Sequence, residues 1–110
     1  MTTGTRMIGI KVKITRFTSN DQPGFVECKF TDAWDKEFII EEKVPVVTTD
    51  DLNQNSVYPQ DGVVACEKIK EWEDKDGREL VTIDTDKPWG VETIDGLTRF
   101  DILQKDLIQI

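Results

Sequence analysis

Carboxylates are the only side chains in this sequence numerous and close enough to carry chemistry. Asp32 with Asp35, Asp50 with Asp51, and Asp84 with Asp86 each set two carboxyl groups within a few positions, as the acid and base of a glycosidase require once a fold brings them into a cleft. A carboxylate-dependent hydrolase is the catalytic reading they permit. With 22 acids among 110 residues such pairs arise by chance, and a chain of this length has little room for a substrate cleft beside its core.

Other chemistries lack their parts. The sequence holds no histidine, the usual general base near neutral pH, so Ser-His and Cys-His nucleophilic systems are excluded. Ser19 and Ser56 lie among turn formers, where a hydroxyl caps backbone more readily than it attacks a substrate. Glycines are scattered singly, without a phosphate-cradling loop. Cys28 and Cys66 alone cannot build a zinc site. Taking Gly77 as the glycine of an EF-hand loop places Asp74 and Asp76 correctly, but puts Trp72 at the first ligand position and Ile83 where the bidentate acid belongs. The expectation is therefore a non-enzyme with no cofactor, no metal site and no catalytic residue.

Charge points to a kind of partner. A net charge of −8, from 22 acidic and 14 basic side chains, repels nucleic-acid phosphates and anionic lipid headgroups and attracts a basic surface. Lys11, Lys13 and Arg16 form a short basic stripe, expected to pair with acids across a sheet. No stretch approaches the ~20 apolar residues of a membrane span, and residues 1–17 lack the continuous apolar run of a signal peptide. The location expected is cytoplasmic. Cys28 and Cys66, with apolar neighbours in strand-like segments, read as buried thiols in a reducing compartment, although two strand positions could also be cross-strand partners in a disulfide.

Aromatic residues among the acids are the candidate binding groups. Trp34 and Asp35 sit in the tight reversal Asp32-Ala33-Trp34-Asp35-Lys36, and Trp72 lies between Glu71 and Glu73. A ring offers contact area and attraction for cations, while carboxylates steer a basic partner's approach. Both rings could equally cover the ends of a core. Tyr58, Asp50, Asp51 and Asp61 fall on a long irregular segment of the sort that often carries binding residues on a rigid scaffold. Trp89, between Pro88 and Gly90, reads as a core plug.

These groups must be positioned by strands. Ile8, Ile10, Val12 and Ile14 alternate with polar or small residues, the period of two of a half-buried strand. After the turn formers of residues 19–24, Val26, Cys28 and Phe30 repeat the pattern, and after the reversal at 32–36 a third strand runs from 38 to 44. An antiparallel meander is expected. Residues 45–62 lose the pattern, with Thr48-Thr49-Asp50-Asp51-Leu52 able to cap one helical turn. Strands follow at 63–72 and 80–83 around Asp74-Lys75-Asp76-Gly77, and at 89–94 and 97–103 around Asp95-Gly96. Leu107, Ile108 and Ile110 close the pattern as a short strand, unless residues 101–108 form a helical turn.

So many short strands in one β-rich unit over 1–110 predict an all-β fold: a small antiparallel barrel or strongly bent sheet in the SH3-like or OB-like style, with a long irregular loop. A two-sheet β-sandwich is the alternative. Pro23-Gly24-Phe25-Val26-Glu27-Cys28, Glu42-Lys43-Val44-Pro45-Val46-Val47-Thr48 and Lys87-Pro88-Trp89-Gly90-Val91-Glu92 together resemble a group of small bacterial proteins without an assigned role. The resemblance implies a bacterial cytosolic protein and transfers no site.

Three functions compete. The leading expectation is a non-catalytic interaction domain for a basic protein, for example an immunity or inhibitor protein whose acids occupy the phosphate site of a nuclease toxin. The second is a small-ligand- or peptide-binding regulatory barrel, and the hydrolase is the third.

Overall fold

The structure is a computed structural model and describes residues 7–110; the first six residues of the amino-terminal stretch read above lie outside the described residues. Its elements are β1 (Ile8–Ser19), β2 (Phe25–Thr31), β3 (Glu37–Lys43), the short helix α1 (Val44–Val47), β4 (Gln60–Glu73), β5 (Glu79–Asp84), β6 (Arg99–Leu103), a 3-10 turn (Gln104–Asp106) and β7 (Leu107–Gln109). Neighbouring strands run in the order β3-β2-β1-β4-β5-β6, with β7 also paired to β1, and every pairing is antiparallel. The fold is all-β, a sheet curled into a half-barrel, as the alternating pattern predicts.

Two long strands produce the curl. β1 pairs β4 along one edge, while its other edge serves β7 at Ile8–Ile10 and β2 from Lys13 onward, with register shifts near Thr15 and Thr18. β4 gives residues 60–66 to β1 and, across a shift at Ile69, residues 67–73 to β5. An extra residue in one strand bends it and increases its twist, so the three shifts roll the sheet instead of letting it lie flat. Close packing helps: a Cβ on Gly62 would stand 2.9 Å from Ile14 and 3.0 Å from the Val47 carbonyl oxygen. Only glycine lets α1 lie against β4 there.

The inner face holds Ile10, Val12, Ile14, Val26, Cys28, Ile40, Val64, Val81, Ile83 and Ile102, with Phe30, Phe38 and Phe100 packed ring to ring at 4.9–5.4 Å. The two thiols are free and buried. Cys28 faces Ile14 across the β1–β2 ladder, whereas Cys66 faces Ile8 across the β1–β4 ladder, so β1 stands between them. Burial pushes both thiols up to about 12. An aromatic disulfide reagent is therefore expected to leave both unmodified in the folded protein and to titrate both in denaturant.

Two sequence expectations change. The helical turn falls at Val44–Val47, not at 48–52. Val44 and Val47, three apart, bury one side of it, and Pro45 suits its first turn. The Thr48 hydroxyl instead accepts from the Asp50 amide at 3.1 Å, closing a turn. The strand expected at 89–94 is irregular chain, and Trp89 is no core plug, being 62% exposed. Thr85 closes this connection on itself: its amide oxygen accepts from Val91 at 3.0 Å and its hydroxyl donates to the Val91 carbonyl at 2.6 Å. Gly90, at φ +66 in the left-handed region, turns the chain so that Val91 enters the core and Trp89 faces out. The Asp95-Gly96 turn is where the sequence puts it, with Gly96 at φ +80. Just before it the Ile94 amide donates to the Ile39 carbonyl at 2.9 Å, bringing this connection against the outer strand β3.

Carboxylates also hold the turns. Asp84 accepts from the Asp86 amide at 2.9 Å and from Arg99 at 3.3 Å, and these donors, the amide foremost, with the Thr98 hydroxyl, pull its pKa below the usual value. Asp74 is lowered in the same way, first by the Arg78 amide. A depressed folded pKa gives stability that is complete above the unfolded value, about 4, and is lost as pH falls through the folded one. Urea unfolding from pH 6 downward should show that loss below about pH 4. Asp84→Asn should make the acid limb shallower and lower stability at neutral pH.

Candidate functional site

The tryptophans of two distant segments meet on the outer face. In the turn between β2 and β3 the Asp32 carboxylate accepts from the amides of Trp34 and Lys36, each at 2.9 Å, and the Asp32 amide donates to the Lys36 carbonyl. Asp35 takes a left-handed conformation, φ 62, which Asp tolerates better than most residues. The Ala33 amide donates to the Asp101 carbonyl at 2.8 Å and ties the turn to β6. Trp34 is thereby held at the outer end of the turn, 51% exposed.

The second ring comes from the hairpin of β4 and β5. Trp72 stands opposite Leu80, which is buried, and Lys70 stands opposite Thr82. Trp72 Nε1 donates to Thr82 Oγ1 at 3.0 Å, Thr82 Oγ1 donates to Asp101 Oδ1 at 2.7 Å, and Trp34 Nε1 reaches Asp101 Oδ2 at 3.4 Å. The rings lie 6.3 Å apart between centroids, tilted by 42°. Each carries one of the chain's own cations. The Arg78 guanidinium lies 5.3 Å from the Trp34 ring centre, and Lys70 Nζ lies 5.3 Å from that of Trp72. Arg78 is fixed besides by Asp74 Oδ2 at 2.8 Å and the Ala33 carbonyl at 3.0 Å.

The other candidates fall in separate places. Asp35 is exposed on the turn beside Trp34, whereas Glu73 and Glu79, exposed and opposite each other at the hairpin end, alternate with Trp72 and Leu80 and so point to the other face of the hairpin. Glu71 is paired with Lys68 at 2.7 Å. Asp50 and Asp51 lie on the irregular loop and line a cleft with Asp21 and Asn53. Tyr58, half-buried, donates its hydroxyl to the Asn53 carbonyl at 2.7 Å and packs against the core. Asp61 is exposed and ion-paired with Lys13, whose ammonium holds its carboxyl below the usual range. Two of the three residues of the basic stripe pair with acids across the sheet, Lys13 with Asp61 and Arg16 with Glu27 at 3.1 Å, whereas Lys11 donates to the Lys105 carbonyl at 3.2 Å.

Asp101, Thr82, Arg78 and Lys70 belong to the tryptophan cluster and are missing from the sequence reading. A signal for Asp101 existed, since it alternates with the core residues Phe100 and Ile102 and must point outward. Which strands would flank it was not readable.

Among the described residues no three or more Asp, Glu or Cys side chains gather closely enough to hold a metal ion. No described helix is long and apolar enough to cross a membrane. A second concavity, about 790 Å³, lies between β7 and β4–β5, with Met7, Ile8, Val81, Leu107 and Ile108 as its apolar lining and Lys87 among its polar residues. Comparison of the chain with protein-family models, with curated proteins and with solved structures found no match.

Proposed function

We propose that this chain is a non-catalytic interaction domain that binds a basic protein through the face built by Trp34 and Trp72. The observation that carries this reading is the cation on each ring: two arrays of π-electron density already hold Arg78 and Lys70. A face that organises the chain's own cations has the chemistry to take a partner's. Asp35 is exposed beside Trp34 in the same turn, and a net charge of −8 extends the attraction beyond contact range. Half-exposed tryptophan over a packed base is also the usual form of an interface anchor. An immunity or inhibitor protein that covers the basic cleft of a toxin is one protein of this kind, in a bacterial cytoplasm as the resemblance implies.

The test is affinity capture from the source cell with the wild-type chain and a double variant, Trp34→Ala and Asp35→Lys. A basic protein retained at low ionic strength, released as salt rises and lost from the variant supports the reading. Capture that ignores both salt and the substitutions overturns it.

The concavity beside β7 favours a second reading, a small-ligand or peptide-binding barrel, because its volume and apolar lining are those of a ligand site. A thermal-shift screen in which an apolar small molecule stabilises the wild type but not Leu107→Glu would favour it.

A further inference from the structure

Asp101 is the unusual member of the tryptophan cluster. Its carboxylate oxygens accept from Thr82 Oγ1 and Trp34 Nε1, both neutral donors. Among the described residues no basic side chain pairs with it, whereas seven other carboxylates are each paired with a Lys or Arg. Asp101 is thus a half-buried carboxylate bonded to the Trp34 indole and joined to the Trp72 indole through Thr82, with neutral donors only. The two cations already present differ in how they are held. Arg78 is fixed by Asp74 and the Ala33 carbonyl as well as by the ring. Lys70, which is exposed, lies over the face of Trp72.

We propose that Asp101, Trp34 and Trp72 form a binding site for an arginine side chain of the partner, and that Lys70 is a built-in competitor which makes the site select arginine over lysine. The inference rests on the function proposed above. Its physical basis is exchange. A partner's lysine would displace a tethered ammonium with another ammonium and gain little, and the tether keeps Lys70 at high effective concentration. A guanidinium gains more, because it stacks flat on indole and turns its N–H groups toward a carboxylate in its own plane. Arginine therefore outcompetes Lys70 where lysine does not.

Two blocked peptides of identical sequence, one with arginine and one with lysine at every basic position, test this when each is labelled and titrated by anisotropy. The wild-type chain should bind the arginine peptide about two- to fivefold more tightly than the lysine peptide. Lys70→Gln should tighten lysine-peptide binding and narrow the ratio, while Asp101→Asn should weaken the arginine peptide more than the lysine peptide. Equal wild-type affinities, or a ratio that Lys70→Gln leaves unchanged, would overturn the arginine site while the basic-partner reading stands. If neither peptide binds at low salt, both fall.

Discussion

Replacing Ile83 with alanine is expected to lower the free energy of unfolding by about 2–5 kcal/mol, from the loss of burial together with the cavity left behind. Ile83 is fully buried, faces Phe100 across the β5–β6 ladder, and belongs to the same cluster as Ile14 and Ile40 on the far strands. The loss is a large part of the ~5–15 kcal/mol that holds a small domain folded. Urea unfolding by circular dichroism measures it, and a midpoint shift with unchanged slope is the expected form. A change of less than about 0.5 kcal/mol would mean that β5 and β6 do not share a core with β1, β2 and β3.

The second large effect is on binding. Trp34→Ala should weaken the basic partner by about 2 kcal/mol or more, roughly thirtyfold, because exposed tryptophans that become desolvated in a complex dominate interface energy. Trp34 is suited to this test: its turn is held by Asp32 and Ala33 backbone bonds that do not involve the ring. Trp89→Ala is the control. Trp89 is more exposed than Trp34 but lies beyond the other end of β5, so its removal should leave affinity unchanged. Calorimetric titration of the three proteins with the captured partner reads the difference. Equal losses from Trp34→Ala and Trp89→Ala would point to general hydrophobic adhesion and not to a site.

Period-two alternation carries most of the fold. Ile8 through Ile14 and Val26 through Phe30 are strands whose faces differ, Leu80 through Ile83 is a strand buried on both faces, and turn chemistry at Asp74–Gly77 and Asp95-Gly96 divides the later elements. The pattern fails where the backbone is directed by hydrogen bonds instead of by faces. Val91 looks like a strand residue in sequence, yet Thr85 and the left-handed Gly90 fold its segment into a loop that still buries it. A burial pattern does not reveal which backbone groups pair. The same limit explains the site. Trp34 and Trp72 could be recognised singly as aromatics among acids, but their meeting depends on the Ala33–Asp101 bond and on the register that sets Trp72 beside Leu80 and Thr82. These are contacts between segments far apart in the chain. Lys70 and Arg78 carry no signal in the sequence, because a basic residue on an acidic surface looks like solvent-facing charge until the ring beneath it is known. The remaining candidates had the right composition in separate places: Asp50 and Asp51 in a loop cleft, Asp61 on Lys13, Glu71 on Lys68.

The location of a basic ligand on the chain tests the central claim most directly. Amide hydrogen exchange, followed with and without an oligoarginine peptide at low salt, reports it segment by segment. Protection is expected in the 32–36 turn and along 70–80, where Trp34 and Trp72 stand, with the 48–59 loop unchanged. Protection confined to the loop of Asp50 and Asp51, or to Met7 and residues 104–109 beside the second concavity, would contradict the assignment of function to the tryptophan face.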